Sequence, residues 1–398
     1  MAQPTLGAVL AAAELAAAWS ASLSRCSGSS TNSAFVRRAI NAGWLKEDPL
    51  RLLDIGASGG ISTFWDQFRP RLRAIGIDPL IREVERLNAA EADPAIRYLH
   101  GWVGPGHPIE AAPMETLFSR TSAARACDRE TYIVKMFNSG APIAYSDQHF
   151  TVDGLITDGI LPDPDVIKID VDFFESFVLD GAAHTITTGK VLLIECECGF
   201  HDGIGAPWRG FSYVDTALRA AGYRLLDLEP YRYTRSALPG RFLYELPAQT
   251  ESGQVIFCDA AWYLDPSIDV AALERLRADP AKLCKLVLLL EAYGYRDVAA
   301  AVLLRLIEKG LAMPERDARA ALDWLVPPNP FGANTYEAYL AAFDADPRRF
   351  QPSGWAKAEA AWRAPILSPV RAALAGARRL AARLWRGNAD FEKSRRCD

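Results

Sequence analysis

The chain has no basic surplus. Its formal net charge is -5, which argues against a nucleic-acid binder, whose footprint is a positive face. It has no run of about 18 uncharged apolar residues, so no membrane-spanning helix is expected. Its seven cysteines are scattered and odd in number, without a disulfide-rich pattern, so a reducing compartment, the cytoplasm, fits best. Cys196 and Cys198 in IECECGF come nearest to a cluster. With no second pair at zinc-site spacing, they read as two apolar-like thiols on one face of a strand. The start, MAQPTLGAVLAAAELAAAWSAS, lacks a basic leader, and Glu14 interrupts its apolar run. It reads as an Ala-rich helix rather than a signal peptide. What remains is globular composition, 50% hydrophobic and 23% charged over 398 residues, enough for two to three domains.

Residues 1–48 read as a helical preface. From Leu50 short apolar runs alternate with helix-like segments: LRLLDIG, RAIGID, IRYLHGWVG, DVIKID, VLLIECE, YRLLDL and VIFCDAAWYL against IREVERLNAA, FFESFVLDGAAHTI and YVDTALRAAG. Continuous apolar strands alternating with helices predict a mostly parallel, doubly wound α/β sheet over 49–264. The stretch from Pro105 to Pro164, with TYIVKMF and TVDGLI, is long for a crossover and predicts an insertion over the active site. Residues 265–350 read as packed helices. Residues 351–398 form a tail whose PVRAALAGARRLAARLWRG segment places Arg371, Arg378, Arg379, Arg383 and Arg386 beside an apolar face. Such a helix, over 369–386, either lies on an anionic membrane surface, here the inner face, or docks on its own protein with a solvated basic edge.

The strongest local signal is LLDIGASGGIS, a buried strand carrying Asp54 followed directly by a Gly-rich turn. Gly56 and Gly60 permit tight turning and close backbone approach to a ligand, and Ser58 stands where many such loops have a glycine. The spacing is not that of a dinucleotide fingerprint. An acid two positions before the first glycine suits a ligand bearing an ammonium, as S-adenosylmethionine does. Asp78 ends the next strand, eighteen residues after Gly60. There it can accept hydrogen bonds from both ribose hydroxyls, or cap the helix that begins at PLIREVERL. Adenine is expected near the third strand, where Trp102 can stack on it.

These residues resemble the FkbM family of S-adenosylmethionine-dependent methyltransferases. The family's D-x-G-A-N-x-G loop is met by Asp54, Gly56, Ala57 and Gly60, with Ser58 in place of Asn. Its K-I-D-V-E-G-x-E segment and following V-L-x-G-A are matched in KIDVDFFESFVLDGA by Lys168, Ile169, Asp170, Val171, Glu175, Gly181 and Ala182. Asp172 replaces Glu, and Phe173 replaces Gly. The resemblance covers roughly Leu50 to Leu264. It implies a class I, Rossmann-like methyltransferase fold with a seven-stranded sheet, S-adenosyl-L-methionine as cofactor, and acceptors such as sugar or secondary-metabolite hydroxyls.

Methyl transfer from a sulfonium is an in-line displacement, so the protein has to position the acceptor and take its proton. Beyond the carboxyl ends of the strands stand Asp170 and Asp172, then Glu195, Glu197, His201 and Asp202. Asp170 is the leading catalytic candidate, either holding the acceptor hydroxyl or meeting the methionine end of the cofactor. Asp172 lies two residues on, where an extended strand points both acids the same way. With Glu195 they could hold a hard divalent ion such as magnesium, or cap a helix; no metal is expected. His201 has the intrinsic acidity of a general base near neutral pH. The leading expectation is an O-methyltransferase of a saccharide or glycan hydroxyl, with no nucleic-acid partner. The alternatives are methylation of a small metabolite, or a methyltransferase-fold adaptor without turnover at a membrane surface.

Overall fold

Leu50–Ile55 (β1) and Leu72–Asp78 (β2) are apolar runs with almost every residue buried, as expected of inner strands covered on both faces. The chain continues with Ile96–His100 (β3), Trp102–Val103 (β4), His149–Phe150 (β5), Val166–Ile169 (β6), Leu193–Gly199 (β7), Tyr223–Tyr233 (β8) and Gln254–Leu264 (β9). The computed structural model describes residues 32–109, 120–122, 144–172, 174–188, 191–201, 209–243, 249–310, 315–329 and 332–350. Seven strands form one sheet in the order β3-β2-β1-β6-β7-β9-β8. The first five are parallel, and β9 runs antiparallel between β7 and β8. This is the doubly wound, mostly parallel, seven-stranded sheet expected from the sequence. Its direction of winding reverses between β1 and β6, which opens a crevice beyond the carboxyl ends of those strands.

The helices are Ala34–Asn41 (α1), Ile81–Ala90 (α2), Val152–Thr157 (α3), Glu175–Asp180 (α4), Ala183–Thr188 (α5), Phe211–Ala220 (α6), Val270–Leu276 (α7), Pro280–Ala292 (α8), Arg296–Lys309 (α9), Glu315–Leu325 (α10) and Tyr336–Ala345 (α11). Helix α8 starts with Pro280 after the N-cap Asp279, whose side chain accepts from the Lys282 N–H, a pre-organised first turn. Its buried run of Leu and Val packs on α1, α9 and the sheet. Two buried lysines fasten it there. Lys282 Nζ lies 2.6 Å from Asp165, just before β6, and Lys285 Nζ lies 2.9 Å from Asp165 and 2.6 Å from Asp48. Paired in this way, the charges tolerate burial; either lysine alone would not.

Three segments depart from the sequence pattern. IRYLHGWVG divides at Gly101 into β3 and β4, and β4 leaves the main sheet to pair with β5. A Cβ on Gly101 would lie 2.3 Å from the Phe150 ring. FFESFVLDGAAHTI yields two short helices, α4 and α5, with the Gly104 carbonyl pressed against Gly181 between them. The segment after the Gly-rich turn is a 3-10 helix, Thr63–Arg71, where Pro70 sits inside and Phe64, Trp65 and Phe68 are buried.

The chain divides into two compact units, Met1–Leu325 and Val326–Asp398. In the second, Tyr339 and Phe343 of α11 pack edge-on against Phe350. The Ala-rich helix expected before residue 32, TYIVKMF, Asp202 and the basic helix expected over 369–386 lie outside the described residues. No helix among the described residues is long and apolar enough to cross a membrane.

Candidate active site

The Gly-rich turn sits at the tip of β1, where the backbone N–H groups of Gly56 and Ala57 both donate to the Ile77 carbonyl of β2. Gly56 has φ +85°, and a Cβ there would lie 1.8 Å from the Asp170 carbonyl oxygen. The close approach that demands glycine is therefore made by the chain's own β6 end, not by a ligand as expected. Gly60, at φ +91°, likewise gives room to Leu87 and Tyr98. The turn is held from its α2 side. Gly59 N–H donates to Glu83 Oε1 at 3.0 Å, and Ile61 N–H donates to the Tyr98 hydroxyl at 3.1 Å. Arg86 grips Glu83 with two nitrogens, at 2.7 and 2.6 Å. Sequence reasoning missed this support, although Glu83 and Arg86 stand three apart on a helix, the spacing at which such pairs meet.

At the turn Ser58 Oγ is buried without a hydrogen-bond partner, and the buried Asp54 Oδ1 has only the Lys168 ammonium, at 3.5 Å. Buried polar atoms are almost always satisfied, so this arrangement at one crevice asks for a ligand. Asp54 is nine-tenths buried or more, and burial pushes its carboxyl up from the ordinary value, opposed by Lys168. An ammonium and a carboxylate, the two ends of a methionyl group, would satisfy Asp54 and Ser58 respectively.

Asp78 lies at the end of β2, 4% exposed. Its Oδ1 accepts from the Leu80 N–H at 2.8 Å, and the Ser58 N–H also supports the carboxylate. Burial pushes its acidity up to about 7. Asp78 thus braces the turn that leads into α2, while the N-cap of that helix is Leu80, with no side-chain cap hydrogen bond. Beside it, Gly101 N–H donates to the Asp78 carbonyl, and Trp102 follows. The Trp102 indole donates to the Ser146 carbonyl at 2.9 Å and its ring leans on Tyr145, with centroids 5.6 Å apart. Both rings stay exposed, at 40% and 50%. Tyr145 also bridges to Leu80. Two accessible aromatic rings therefore flank the Asp78 corner, and Tyr145 is a wall residue with no signal in the sequence pattern.

On the other side of the crevice one face of the sheet is crowded with carboxylates. Asp54, Lys168 and Glu195 are register partners across β1, β6 and β7, and Glu197 and Asp259 are partners across β7 and β9. Lys168 Nζ stands 3.2 Å from Asp170 and 3.5 Å from Asp54. Its pKa is pushed well above the ordinary lysine value, because Asp170, Asp54, Glu195 and Asp259 outweigh its burial. Tyr293, just past α8, donates to Glu195 at 2.5 Å. Tyr231 donates to Asp259. Burial and mutual repulsion raise Glu195, Glu197 and Asp259. Tyr293, Tyr231 and Asp259 escaped sequence reasoning because only folding brings β8, β9 and the C-terminal helices to β7.

Asp170 keeps 28% of its side chain exposed. Asp172 does not continue the strand alternation expected of it, because β6 ends at Ile169 and Asp172 has φ +55°. Aspartate is among the few L residues that accept this left-handed geometry. Among the described residues no His, Cys, Asp and Glu side chains are grouped to hold a metal ion; the Lys168 ammonium lies between Asp54 and Asp170 instead. His201 is placed at the start of β9, its Nε2 3.1 Å from the Val255 carbonyl and 3.1 Å from the Gln254 amide. The structure brings together Asp54, Ser58, Asp78 and Asp170, and seats His201 on an exposed edge. Cys196 and Cys198 both lie buried in β7 beside Cys258; burial raises the thiols of Cys196 and Cys258, and the hydrogen bond with Cys196 together with burial raises that of Cys198, which suits packing rather than ligation.

No curated protein is significantly similar in sequence to this chain. Among solved structures it is similar to precorrin-6y C5,15-methyltransferase from Geobacter metallireducens, at 12% identity and TM-score 0.27, covering 57% of this chain and 86% of that one. It is also similar to 1,6-didemethyltoxoflavin-N1-methyltransferase of Burkholderia thailandensis, at 11% identity and TM-score 0.25, covering 66% and 91%. A third is mitomycin 7-O-methyltransferase, at 13% identity and TM-score 0.23, covering 65% and 54%. The seven-stranded sheet, with β9 antiparallel between β7 and β8, has the class I methyltransferase fold. The family description "Methyltransferase FkbM domain" matches residues 95–225, which span β3 to β7 and the KIDV segment. Over residues 95–225 the chain is therefore similar to FkbM methyltransferase domains, and its activity class is that of an S-adenosylmethionine-dependent methyltransferase.

Proposed function

We propose that this domain transfers the methyl group to a hydroxyl oxygen of a saccharide acceptor. The observation that carries the reading is the orphaned buried Ser58 Oγ beside the buried Asp54, whose Oδ1 has only the Lys168 ammonium at 3.5 Å, at a strand tip flanked by Asp78 and by the carboxylate-lined ends of β6, β7 and β9. Asp54 and Ser58 would hold the amino-acid end of S-adenosylmethionine, Asp78 the ribose diol, and Trp102 with Tyr145 the adenine. When bound, that cofactor supplies a methyl carbon activated by a sulfonium.

The chain's own residues do the rest. Asp170, the partly exposed acid of the Lys168 pair, accepts the hydrogen of the acceptor hydroxyl and aims its oxygen. Lys168 holds the Asp170 carboxylate in place from below. The carboxylates of Glu197 and Asp259 offer further acceptors, which suits a polyhydroxylated molecule, since each hydroxyl needs an oxygen to donate to. An apolar acceptor would leave Glu197 without a hydroxyl to bind, a cost of ~1–3 kcal/mol, whereas Asp259 keeps its bond from Tyr231.

Purified protein should melt several degrees higher with S-adenosylmethionine or S-adenosylhomocysteine at about a hundred times its dissociation constant, a gain of ~2.7 kcal/mol. Incubation with methyl-labelled cofactor should then label a saccharide pool and leave an amine pool unlabelled. No shift with either compound rejects the cofactor site. Label on amines rejects oxygen as the acceptor atom, and a shift without any labelling favours an adaptor that binds without turnover.

A further inference from the structure

The C-terminal helices lie outside residues 95–225, yet one of their side chains reaches the underside of the crevice. Tyr293 follows α8 directly. Its ring is clamped against Phe64 and Trp65 of the 3-10 helix, with centroids 5.0 and 6.5 Å apart, and its hydroxyl donates to Glu195. Glu195 is the register partner of Lys168, and Lys168 contacts Asp54 and Asp170. The result is a polar row: Tyr293 is hydrogen-bonded to Glu195, Glu195 stands beside Lys168 in register and within reach of its charge, and Lys168 is ion-paired to Asp54 and Asp170. Within it Tyr293, Glu195 and Asp54 are buried, and Asp170 is the partly exposed end.

We propose that Tyr293 is a positioning residue of the transfer site, keeping Glu195 charged so that the Asp54–Asp170 end of the row presents net negative charge to a cationic methyl donor. The proposal rests on the crevice being the S-adenosylmethionine site. The groups facing Lys168 come from every strand around it: Asp54 of β1, Asp170 after β6, Glu195 of β7 and Asp259 of β9. One ammonium cannot balance them, so the row carries either surplus charge or a stored proton. Glu195 is the member whose state a neighbour outside the row controls. Burial raises its pKa, while Lys168 and the Tyr293 hydroxyl lower it. A hydrogen bond to the ionised form favours that form, so loss of the hydroxyl lets Glu195 keep a proton to higher pH.

S-adenosylmethionine and S-adenosylhomocysteine share the nucleoside and the amino acid and differ by a methyl and the sulfonium charge. The ratio of their affinities therefore reads the charge of the row and ignores general loosening of the pocket. Calorimetry on the full chain at pH 7.5 should show that Tyr293→Phe lowers the preference for the sulfonium compound about five-fold, a charge lost at moderate distance. Glu195→Gln should lower it equally, and the double variant should lose no more than either alone, as for members of one chain of contacts. In wild type the preference should develop as pH rises, and in Tyr293→Phe it should develop at higher pH.

An unchanged ratio in Tyr293→Phe, or losses that multiply in the double variant, overturns the proposal. If Tyr293→Phe does not fold, the near-isosteric Glu195→Gln decides, and an unchanged ratio there overturns it too. Wild-type protein that binds neither compound is a separate result, which rejects the cofactor site along with the proposal.

Discussion

The two sides of the crevice handle buried polarity in opposite ways. On the β1–β2–β3 side the acids are answered locally. Asp78 receives backbone N–H groups from Leu80 and Ser58, and Glu83 receives Gly59 and Arg86. On the β6–β7–β9 side Asp170, Glu195, Glu197 and Asp259 gather around one lysine and two tyrosines. The first arrangement fixes the Gly-rich turn through backbone N–H groups. The second gathers several carboxyl groups around one ammonium, more negative charge than that cation can balance if all ionise. Shape is therefore set on one side and charge on the other.

Removing the lysine should break this contrast most severely. Lys168→Met leaves buried carboxylates without a countercharge, at a cost of ~3 kcal/mol or more near pH 8. Asp54, Glu195 and Asp259 have folded acidities above their ordinary values. Such groups favour the folded state when protonated and oppose it increasingly as pH rises from the ordinary carboxylate range toward the raised values. Lys168, itself raised, stays charged in wild type throughout that range and would lose its contribution only at alkaline pH. The penalty of the variant should thus shrink steadily on going from pH 8 to pH 5 in urea unfolding. A penalty independent of pH would mean that the carboxylates are not the cause.

The β1–β2–β3 side offers a test of opposite character. Asp78 is pushed up to about 7 by burial, so the ligand-free protein loses stability between about pH 4 and 7 as this acid is forced to ionise. Asp78→Asn keeps an acceptor for the Leu80 N–H and removes that cost. It should raise the melting temperature at pH 8 while weakening S-adenosylhomocysteine about ten-fold, the loss of charged hydrogen bonds to a diol. Wild-type affinity should climb from pH 6 to pH 8, and the variant should be flat. Equal binding by the two proteins at pH 8 would leave Asp78 as a brace for the loop and nothing more.

The same contrast explains what the sequence could reveal. LLDIGASGGIS and the Asp at the end of RAIGID are local: their chemistry lies within a few residues of a strand end, and the strand order then brings them together. Asp170 was visible for the same reason. The carboxylate face was not, because Asp259 reaches it only through antiparallel pairing of β9 with β7, and Tyr293 only through the docking of α8 by Lys282 and Lys285 on Asp165. His201 drew notice by residue type and loop position, while its ring is spent on the backbone of β9. The alternation rule failed for Asp172 because the strand had already ended. Gly56 was legible as a glycine that had to be one, but the atom pressing on it, the Asp170 carbonyl, belongs to a strand more than a hundred residues away.

The smallest effect should come from the support beneath the Gly-rich turn. In Glu83→Gln the amide oxygen still accepts the Gly59 N–H, but the two-point grip of Arg86 on a carboxylate becomes a single neutral contact. Arg86 is half exposed, so water replaces much of what is lost and the change stays near or below 1 kcal/mol. Since Glu83 is buried and Arg86 is not, the loss falls on the position of the turn rather than on the fold. Affinity for S-adenosylhomocysteine should drop about threefold with little change in melting temperature, and lower salt should widen the gap from wild type, because an exposed ion pair is stronger there. A fall in stability with unchanged affinity would instead mark the Glu83–Arg86 pair as part of the α2 packing. The β1–β2–β3 side of the comparison would then rest on Tyr98 and Asp78 alone.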